Sequence, residues 1–484
     1  MKRRLLIIIL AVIGCLACVT GLTACDSNGL GLISCNGSCN SNGGDNGQSP
    51  GEELDELIEF IYVKIDGGYE ITGVKNPLIT KAVIPDCVIS IAHDAFSECG
   101  NLQSLVVSDS VISIGEGAFS GCDNIKDATL PALAISSIPK TTIKTVAITS
   151  GNTIEEKAFL NCGSLESITI PDSIRTIGES AFSGCGNLAS IEIPDSVTTI
   201  GESAFSGCGS LESITIPDSV TAIGGSAFSG CTAKIVWGDN PQITQIGESA
   251  FSGYKGTDIE IPDSVTAIGK LAFDDCSNFT SITIPDSVIS IGEGAFTGCD
   301  NIEDATLPAL AISSISKTNL KSVVVTSGDT IGEQAFWSCG KLKSVTIADS
   351  ITSIGNQAFW GCTALESITI GNSVSSIGEG AFYHCDSLAS ITIPDSVTSI
   401  GDTAFQSCKG LESITIGNSV SSIGAGAFFG CTKLENAVFK NTDGWWVSTS
   451  PTATSGTALT GLEDSATAAT YFKSTYLDYY WKRS

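Results

Sequence analysis

Hydrophobic and polar positions along this chain recur with a period of 23 residues. One unit runs Leu165-Glu-Ser-Ile-Thr-Ile-Pro-Asp-Ser-Ile-Arg-Thr-Ile-Gly-Glu-Ser-Ala-Phe-Ser-Gly-Cys185. Apolar and polar residues alternate over 168–170, which predicts a β-strand, and Pro171 ends that strand because it lacks a backbone donor. Apolar residues then return at spacings of three and four as far as Cys185, which favours a short helical or 3-10 segment.

The Ala-Phe pair of the unit sets the register of the repeats. Most steps between successive phenylalanines of this pair are 23 residues, one is 22, and two (Phe119 to Phe159 and Phe296 to Phe336) are 40. Each long step holds an extra strand-like run, so we interpret it as one ordinary coil plus a short coil without the Ala-Phe half. A self-similar unit of this length, with Leu and Ile at fixed offsets, predicts a leucine-rich-repeat solenoid over 81–440. The fold expected is an α/β right-handed superhelix, with one short parallel strand and one short helix per coil.

Stacked coils place equivalent side chains above one another, so the repeat also predicts the core. Thirteen of the nineteen cysteines lie three residues after a repeat phenylalanine. A buried thiol packs as a small hydrophobe, so we expect stacked core columns rather than disulfides. The repeats lack closely spaced Cys/His pairs of the zinc-binding type, and we predict no metal and no cofactor. The core residues singled out are Phe182, Phe205, Phe228, Cys185, Cys208 and Cys231.

The N-terminal segment has the pattern of an export signal. Three basic residues follow Met1, an apolar run extends to Leu22, and Leu22-Thr-Ala-Cys25 matches a bacterial lipoprotein cleavage site. We predict a signal peptide over 1–24, with lipidation at Cys25. An uncleaved signal anchor is the alternative, since the apolar run is just long enough to span a bilayer. Either way the repeats would lie outside the cytoplasmic membrane.

Three further segments depart from the repeat. Residues 25–53 are rich in Gly, Ser and Asn, which predicts a flexible linker; whether Cys35 and Cys39 pair there is open. Residues 54–80 are expected to form an N-terminal cap, with a hairpin turning at Asp66-Gly67. Residues 441–484 are rich in aromatic residues and are expected to cap the other end, because an uncovered solenoid end would expose its core.

The net charge and the absence of known motifs limit the classes of function that we expect for this chain. The formal net charge is −28, which argues against nucleic acid as a partner. The two histidines, His93 and His384, lie in different coils, and no catalytic or phosphate-binding motif is present, so we do not expect an enzyme. The repeated turn aspartates, such as Asp172 and Asp195, could chelate Ca²⁺ in a column, but capping of nearby backbone amides explains them better.

The position after the repeat phenylalanine changes character along the chain. It is mostly small or polar in the first half and becomes Trp337, Trp360, Tyr383, Gln406 and Phe429 near the C-terminus. Exposed aromatic patches often mark contact surfaces, so these aromatic residues are candidate binding residues. Packing beneath the aromatic tail is the other interpretation, and both stay open here.

The unit Leu-x-Ser-Ile-Thr-Ile-Pro-Asp-Ser-Val-Thr-x-Ile-Gly-x-x-Ala-Phe-x-x-Cys resembles the BspA-like, or treponemal-type, leucine-rich repeat. This resemblance covers about 80–440 and implies a bacterial surface protein, often a lipoprotein, that adheres to host extracellular-matrix proteins or to other cells. It implies protein or glycan ligands, contact with the membrane through an N-terminal lipid, and a lipid-anchored location on the outer envelope that faces outward. It does not imply particular binding residues. The alternative is an envelope-organising protein without a soluble ligand.

Overall fold

The structure, a computed structural model, describes residues 59–484. The predicted signal peptide, the linker and Cys25 lie outside the described residues. The chain divides into two compact units: residues up to Leu102 together with Val106–Cys122, and Gln103–Leu105 together with Asp123–Ser484. Within the described range, no helix is both long and apolar enough to cross a bilayer.

The first unit begins with the hairpin that the Asp66-Gly67 turn predicts. Its two strands pair antiparallel, and Gly67 takes the left-handed backbone conformation at φ +90°. The second hairpin strand pairs in parallel with the strand of the following coil. The ring centroids of Phe60 and Phe96 lie 5.7 Å apart. The hairpin therefore covers the first Ala-Phe coil. The strands from here to Cys122 are β1 (Phe60–Ile65), β2 (Gly68–Val74), β3 (Lys81–Ile84), β4 (Val88–Ile91), β5 (Ser104–Val107, divided between the units) and β6 (Ser113–Ile114).

The second unit is a parallel β-solenoid, and most of its coils contain two strands. The first strand is the predicted one; its copies are β7 (Asp127–Leu130), β8 (Thr145–Ile148), β10 (Ser167–Thr169), β12 (Ser190–Ile191), β14 (Ser213–Ile216), β16 (Lys234–Trp237), β19 (Ser281–Thr283), β21 (Asp304–Leu307), β22 (Ser322–Val325), β24 (Ser344–Ile347), β26 (Ser367–Thr369), β28 (Ser390–Thr392), β30 (Ser413–Ile416) and β32 (Asn436–Phe439). The second strand is shorter; its copies are β9 (Thr153–Ile154), β11 (Thr176–Ile177), β13 (Thr199–Ile200), β15 (Ala222–Ile223), β17 (Gln245–Ile246), β18 (Ala267–Ile268), β20 (Ser290–Ile291), β23 (Thr330–Ile331), β25 (Ser353–Ile354), β27 (Ser376–Ile377), β29 (Ser399–Ile400) and β31 (Ser422–Ile423).

Strand pairing places residues at the same repeat position opposite each other in successive coils. In the first ladder Ser167 is opposite Ser190, and in the second Thr176 is opposite Thr199. Along β14 the exposed Ser213 and Thr215 alternate with the buried Ile214 and Ile216. This arrangement confirms the predicted repeat solenoid. The second strand was not predicted, because two residues are too few to show an alternation.

The Ala-Phe half of each coil is a run of tight turns, so the helix predicted there is wrong. Some amides bond three residues back, as from Cys185 N to Phe182 O (3.1 Å), while others bond the next coil, as from Phe182 N to Ala204 O (2.8 Å). Ser180 and Gly184 have φ of +53° and +74°, which interrupts helical geometry. Apolar spacings of three and four therefore arise from successive turns, and this segment adds a third backbone ladder between coils.

Two 3-10 helices occur in the short coils that the 40-residue steps predict. They span Ala132–Ser137 and Ala309–Ser314. Each follows a first strand that ends at a Pro, and Ile135 and Ile312 are buried in them. The short coils therefore fill the core with a helical turn where an Ala-Phe segment is missing.

The repeat phenylalanines stack face to face through the core. Phe182 and Phe205 have ring centroids 5.4 Å apart and an interplanar angle of 10°, and both side chains are fully buried. In the second unit the stack runs from Phe159 to Phe296 and again from Phe336 to Phe428. A ring spacing close to the strand spacing means that each ring fills the space left by its neighbours.

The C-terminal residues cover the last coil with aromatic side chains. Trp481 lies opposite Ile423 in an antiparallel pairing, and the Phe472 ring lies 4.2 Å from Phe428. Trp445 and Trp481 are buried, so this segment completes the core at that end. Its elements are β33 (Trp445–Ser448), β34 (Thr457–Ala458), the helix α1 (Ser465–Thr470) with a following π-helical turn (Tyr471–Thr475), and β35 (Tyr480–Arg483).

The glycine before most of the Ala-Phe segments is required by the close approach of successive coils. A Cβ at Gly201 would lie 2.6 Å from the carbonyl carbon of Gly178 and 2.7 Å from Glu179 N. Those atoms are backbone and can move only if the two coils separate. We therefore expect Gly201→Ala to lower the free energy of unfolding by about 1–3 kcal/mol, measured by urea denaturation.

The matched control is Gly209→Ala in the same coil, where a Cβ would meet nothing within 4 Å. Alanine there reduces the freedom of the unfolded chain and should leave stability unchanged or slightly higher. Equal losses in both variants would contradict the close-approach explanation.

Candidate functional site

The repeat cysteines form a buried column, and their thiols act as hydrogen-bond donors. The Cys185 thiol donates to Phe159 O at 3.1 Å, and the Cys208 thiol to Phe182 O at 3.2 Å. Tyr254, which replaces one cysteine, donates its hydroxyl to Ala233 O at 2.7 Å. The sequence predicted the packing of this column but not its donors, because only the fold brings a carbonyl of the preceding coil to each sulfur.

Burial keeps several of these thiols in the neutral form, whereas a hydrogen bond with the Cys362 thiol lowers the pKa of Cys339. Burial raises the pKa of Cys162 to about 11 and that of Cys185 to about 12, because a thiolate is poorly solvated in the core. A neutral, buried thiol is a weak nucleophile and a poor metal ligand. Cys162 and Cys185 are therefore suited to packing rather than to nucleophilic or metal chemistry.

The turn following the first strand carries polar side chains that bond neighbouring coils. The Ser196 hydroxyl donates to Ile174 O at 2.6 Å, 22 residues earlier. Asp395 accepts the amide of Asn418 at 2.8 Å, 23 residues later. The capping predicted for the turn aspartates therefore acts between coils rather than within one turn. Among residues 59–484, no cluster of three His, Cys, Asp or Glu side chains is arranged to hold a metal ion.

The aromatic stripe (Trp337, Trp360, Tyr383 and Phe429, with Gln406 between the last two) lies on consecutive coils. Its residues are held at the backbone, since Ser338 N donates to Trp360 O and Gly361 N donates to Tyr383 O. Trp337 is 53% exposed and Phe429 is 45% exposed, whereas the core phenylalanines beside them are buried. The stripe thus presents aromatic surface to solvent.

Two rings of the stripe form a stacked pair. Trp360 and Tyr383 have centroids 3.7 Å apart and an interplanar angle of 10°, and the edge of His384 packs against Tyr383. Gly380, at φ +57°, leaves room for this pair, since a Cβ there would lie 3.1 Å from two atoms of the Trp360 ring. The pair is half-buried and its geometry is fixed by the coils that carry it.

The C-terminal tail packs against other rings. Phe472 and Trp481 contact Phe428 and Phe439, which belong to the core columns. Phe429, by contrast, points away from the core and lines a groove together with Asp478 of the tail. These contacts favour a surface role over packing beneath the tail.

The groove beside the stripe has a volume of about 370 Å³. Its carboxylates are partly fixed: Asp402 accepts the amide of Ala425 at 3.1 Å and the hydroxyl of Tyr480 at 3.4 Å. The charge of Asp402 raises the pKa of the Tyr480 phenol. Sequence reasoning missed this groove, because the tail that completes it is non-repetitive. Its lining residues are Glu379, Asp402, Thr403, Gln406, Ala425, Gly426, Phe429 and Asp478.

The two histidines have separate surroundings. The His93 ring lies 3.0 Å from Asp94 and is largely exposed. The His384 ring lies 3.5 Å from Asp386, which also faces Lys409 at 3.5 Å. Each histidine is therefore next to a carboxylate.

Parallel coils with stacked Leu, Ile and Phe positions define a leucine-rich-repeat solenoid, a fold that typically binds or acts as a scaffold. The family model for BspA-type leucine-rich repeat regions matches 75–150, 152–253, 244–326 and 329–443. The chain belongs to this family, as the repeat unit implied. No significant match was found among curated proteins.

Several solved structures are similar in sequence and coverage. A leucine-rich repeat protein from Bacteroides ovatus is 27% identical, with 78% of this chain and 92% of that chain covered and a TM-score of 0.39. A leucine-rich cell surface protein from Faecalibacterium prausnitzii is 26% identical, with 80% and 94% covered and a TM-score of 0.26. A leucine-rich repeat protein from Eubacterium ventriosum is 22% identical, with 66% and 90% covered and a TM-score of 0.27.

The raised thiol pKa values predict a loss of stability in base. The thiols are neutral in the folded state, while in the unfolded chain they titrate near their usual pKa of 9. The neutral thiols therefore contribute their full stabilisation of the folded state below pH 9, and this contribution is lost as the pH rises through 11–12. Urea denaturation at pH 7.5, 9 and 10 should show a falling free energy of unfolding.

The double variant Cys185→Ala/Cys208→Ala isolates the contribution of the thiols. It should be less stable at pH 7.5 but show a shallower decline with pH, since each thiol contributes at most ~1.4 kcal/mol per pH unit. An unchanged slope would assign the decline to other groups.

Proposed function

We propose that this chain is a lipid-anchored cell-surface adhesin whose repeats bind proteins or glycans of a host matrix or of other cells. The observation that carries the proposal is the aromatic stripe, which is partly exposed and lies on consecutive coils at a repeat position that is mostly small or polar in the first half of the chain. Exposed aromatic surface of this kind is typical of contact sites. Repetition along the scaffold adds avidity to weak contacts.

The location on the outer envelope rests on the N-terminal sequence and on family membership. The apolar run to Leu22 and the small residues before Cys25 match the pattern of a lipoprotein signal, which supports this part of the proposal. The scaffold fits an exposed position, because its many carboxylates keep a large surface soluble. A buried thiol column also suits an oxidising exterior, where a reactive thiol would be modified.

Binding to a panel of matrix proteins and bacterial cells tests the adhesin. Beads coated with the full chain should attach saturably to at least one surface. The triple variant Trp337→Ser/Trp360→Ser/Tyr383→Ser should reduce attachment at least tenfold, because each lost aromatic anchor removes contact area. Its melting temperature should change little, since Trp337 is 53% exposed.

The control variant is Leu160→Ser. Leu160 is also exposed (38%) and occupies the same repeat position, directly after Phe159, outside the stripe. Equal attachment by the wild type and the triple variant would contradict a contact role. A large drop in the melting temperature of the triple variant would make the stripe structural. No saturable attachment to any surface would favour the envelope-organising alternative.

The anchor is tested separately. A bacterial host that expresses the full chain and is fed an alkyne analogue of palmitate should label the protein. The substitution Cys25→Ser should abolish the label, because acylation requires the thiol of that cysteine. Labelling that persists in the variant would contradict a lipid anchor at this position.

A further inference from the structure

The groove beside the stripe joins an exposed aromatic ring to three carboxylates. Glu379 and Asp402 come from the repeat and Asp478 from the tail, and Phe429 provides the ring. Its lining includes no lysine or arginine. Within residues 59–484, the lysine ion pairs of the last coils join Lys409 to Asp386, Lys433 to Glu412 and Lys440 to Asp395, and none of them includes a carboxylate of the groove. The carboxylates of the groove are therefore left without a basic partner from the chain itself.

This composition selects for a particular kind of ligand. A second anion is repelled, and a purely apolar segment would leave the carboxylates desolvated and unpaired. A single metal ion does not fit, since the described residues hold no group of three carboxylates that converges on one point. An extended organic cation suits both the ring and the carboxylates of the groove, because an ammonium or guanidinium group can contact an aromatic ring and carboxylates at the same time.

The groove is largely preorganised for such a ligand. Asp402 is fixed by its bonds from Ala425 N and the Tyr480 hydroxyl. The backbone of Phe429 is held by a bond from Ser407 N to its carbonyl at 2.7 Å, and Gly426 N donates to Leu477 O at 2.9 Å, beside Asp478. Little conformational freedom is then lost when a ligand binds.

We propose that the groove lined by Glu379, Asp402, Phe429 and Asp478 binds lysine or arginine side chains of a basic segment in a protein partner. This inference rests on the proposed adhesive function and assigns the class of partner that the stripe contacts. Charge complementarity supports it locally, at the unpaired carboxylates, and globally, through the net charge of −28. The Trp360–Tyr383 pair, one coil before Gln406 of the groove, extends the same surface for a second cationic side chain.

The test uses the full chain and a fluorescein-labelled peptide of alternating Lys, Arg and Ser. A matched neutral peptide carries acetyl-lysine and citrulline in their place. Fluorescence anisotropy should show binding of the basic peptide and at least tenfold weaker binding of the neutral one. Binding should weaken with salt, because exposed charges are screened. Equal binding of the two peptides would overturn the proposal.

Variants localise the interaction. Glu379→Gln combined with Asp478→Asn should weaken the basic peptide about tenfold, and Phe429→Leu, which keeps apolar volume but removes the ring, should weaken it several-fold. The control is Glu202→Gln with Glu179→Gln, at the repeat position of Glu379 in coils where serine replaces the stripe. An equal loss in the control would mean diffuse attraction to an acidic surface and would overturn the site.

Further outcomes separate this inference from the adhesive function. Saturable bead attachment without binding of the basic peptide would leave the adhesin standing and overturn the groove assignment. Peptide binding that follows the groove variants, with no bead attachment, would support the groove and contradict adhesion. A neutral oligosaccharide that binds, and loses binding in Phe429→Leu, would assign the groove to a glycan and overturn the basic-segment proposal.

Discussion

Backbone hydrogen bonding between successive coils, in a fixed register of 23 residues, is the constraint on which the structure depends. Three ladders carry it: the first strand, the second strand and the turns of the Ala-Phe segment. Because the ladders hold coils at the strand spacing, equivalent side chains must fit above one another. Gly201 shows how narrow the tolerance is, since a single Cβ would strike the backbone of the preceding coil. Isoleucine columns, stacked phenylalanine rings and the thiol column all follow from this one spacing.

Many thiols and turn hydroxyls are paired through the same register, although the buried Ser264 hydroxyl has no hydrogen-bond partner. Thiols donate to phenylalanine carbonyls, and turn hydroxyls donate to the coil before. Such pairings recur in several coils because each coil places the same donor beside the carbonyl of the coil before it. A repeated coil therefore satisfies most of its own buried polar groups.

In the proposed function, specific recognition belongs to the residues that depart from the repeat. Aromatic residues replace small ones directly after the core phenylalanine, at a position that points outward. The tail adds Asp478 and Tyr480 beside that surface, and no lysine or arginine lines the resulting groove. An acidic scaffold of many coils thus carries one surface where aromatic faces and carboxylates lie together. The repeated coils form the scaffold, and residues that depart from the repeat add aromatic rings and a further carboxylate to this surface.

The sequence by itself determined the solenoid, the positions of its core columns, the two short coils and the aromatic stripe. These features either follow the period of 23 residues or stand out as departures from it. The sequence predicted a short helical or 3-10 segment after the first strand, where the structure has the second strand and a run of turns, since spacings of three and four arise equally from turns whose amides bond the next coil. Only the tertiary structure decided the second strand, the thiol donors and the acidic groove. Those features join residues 22 or more positions apart, and in the groove they join the repeat to Asp478 and Tyr480, which no periodicity relates to it.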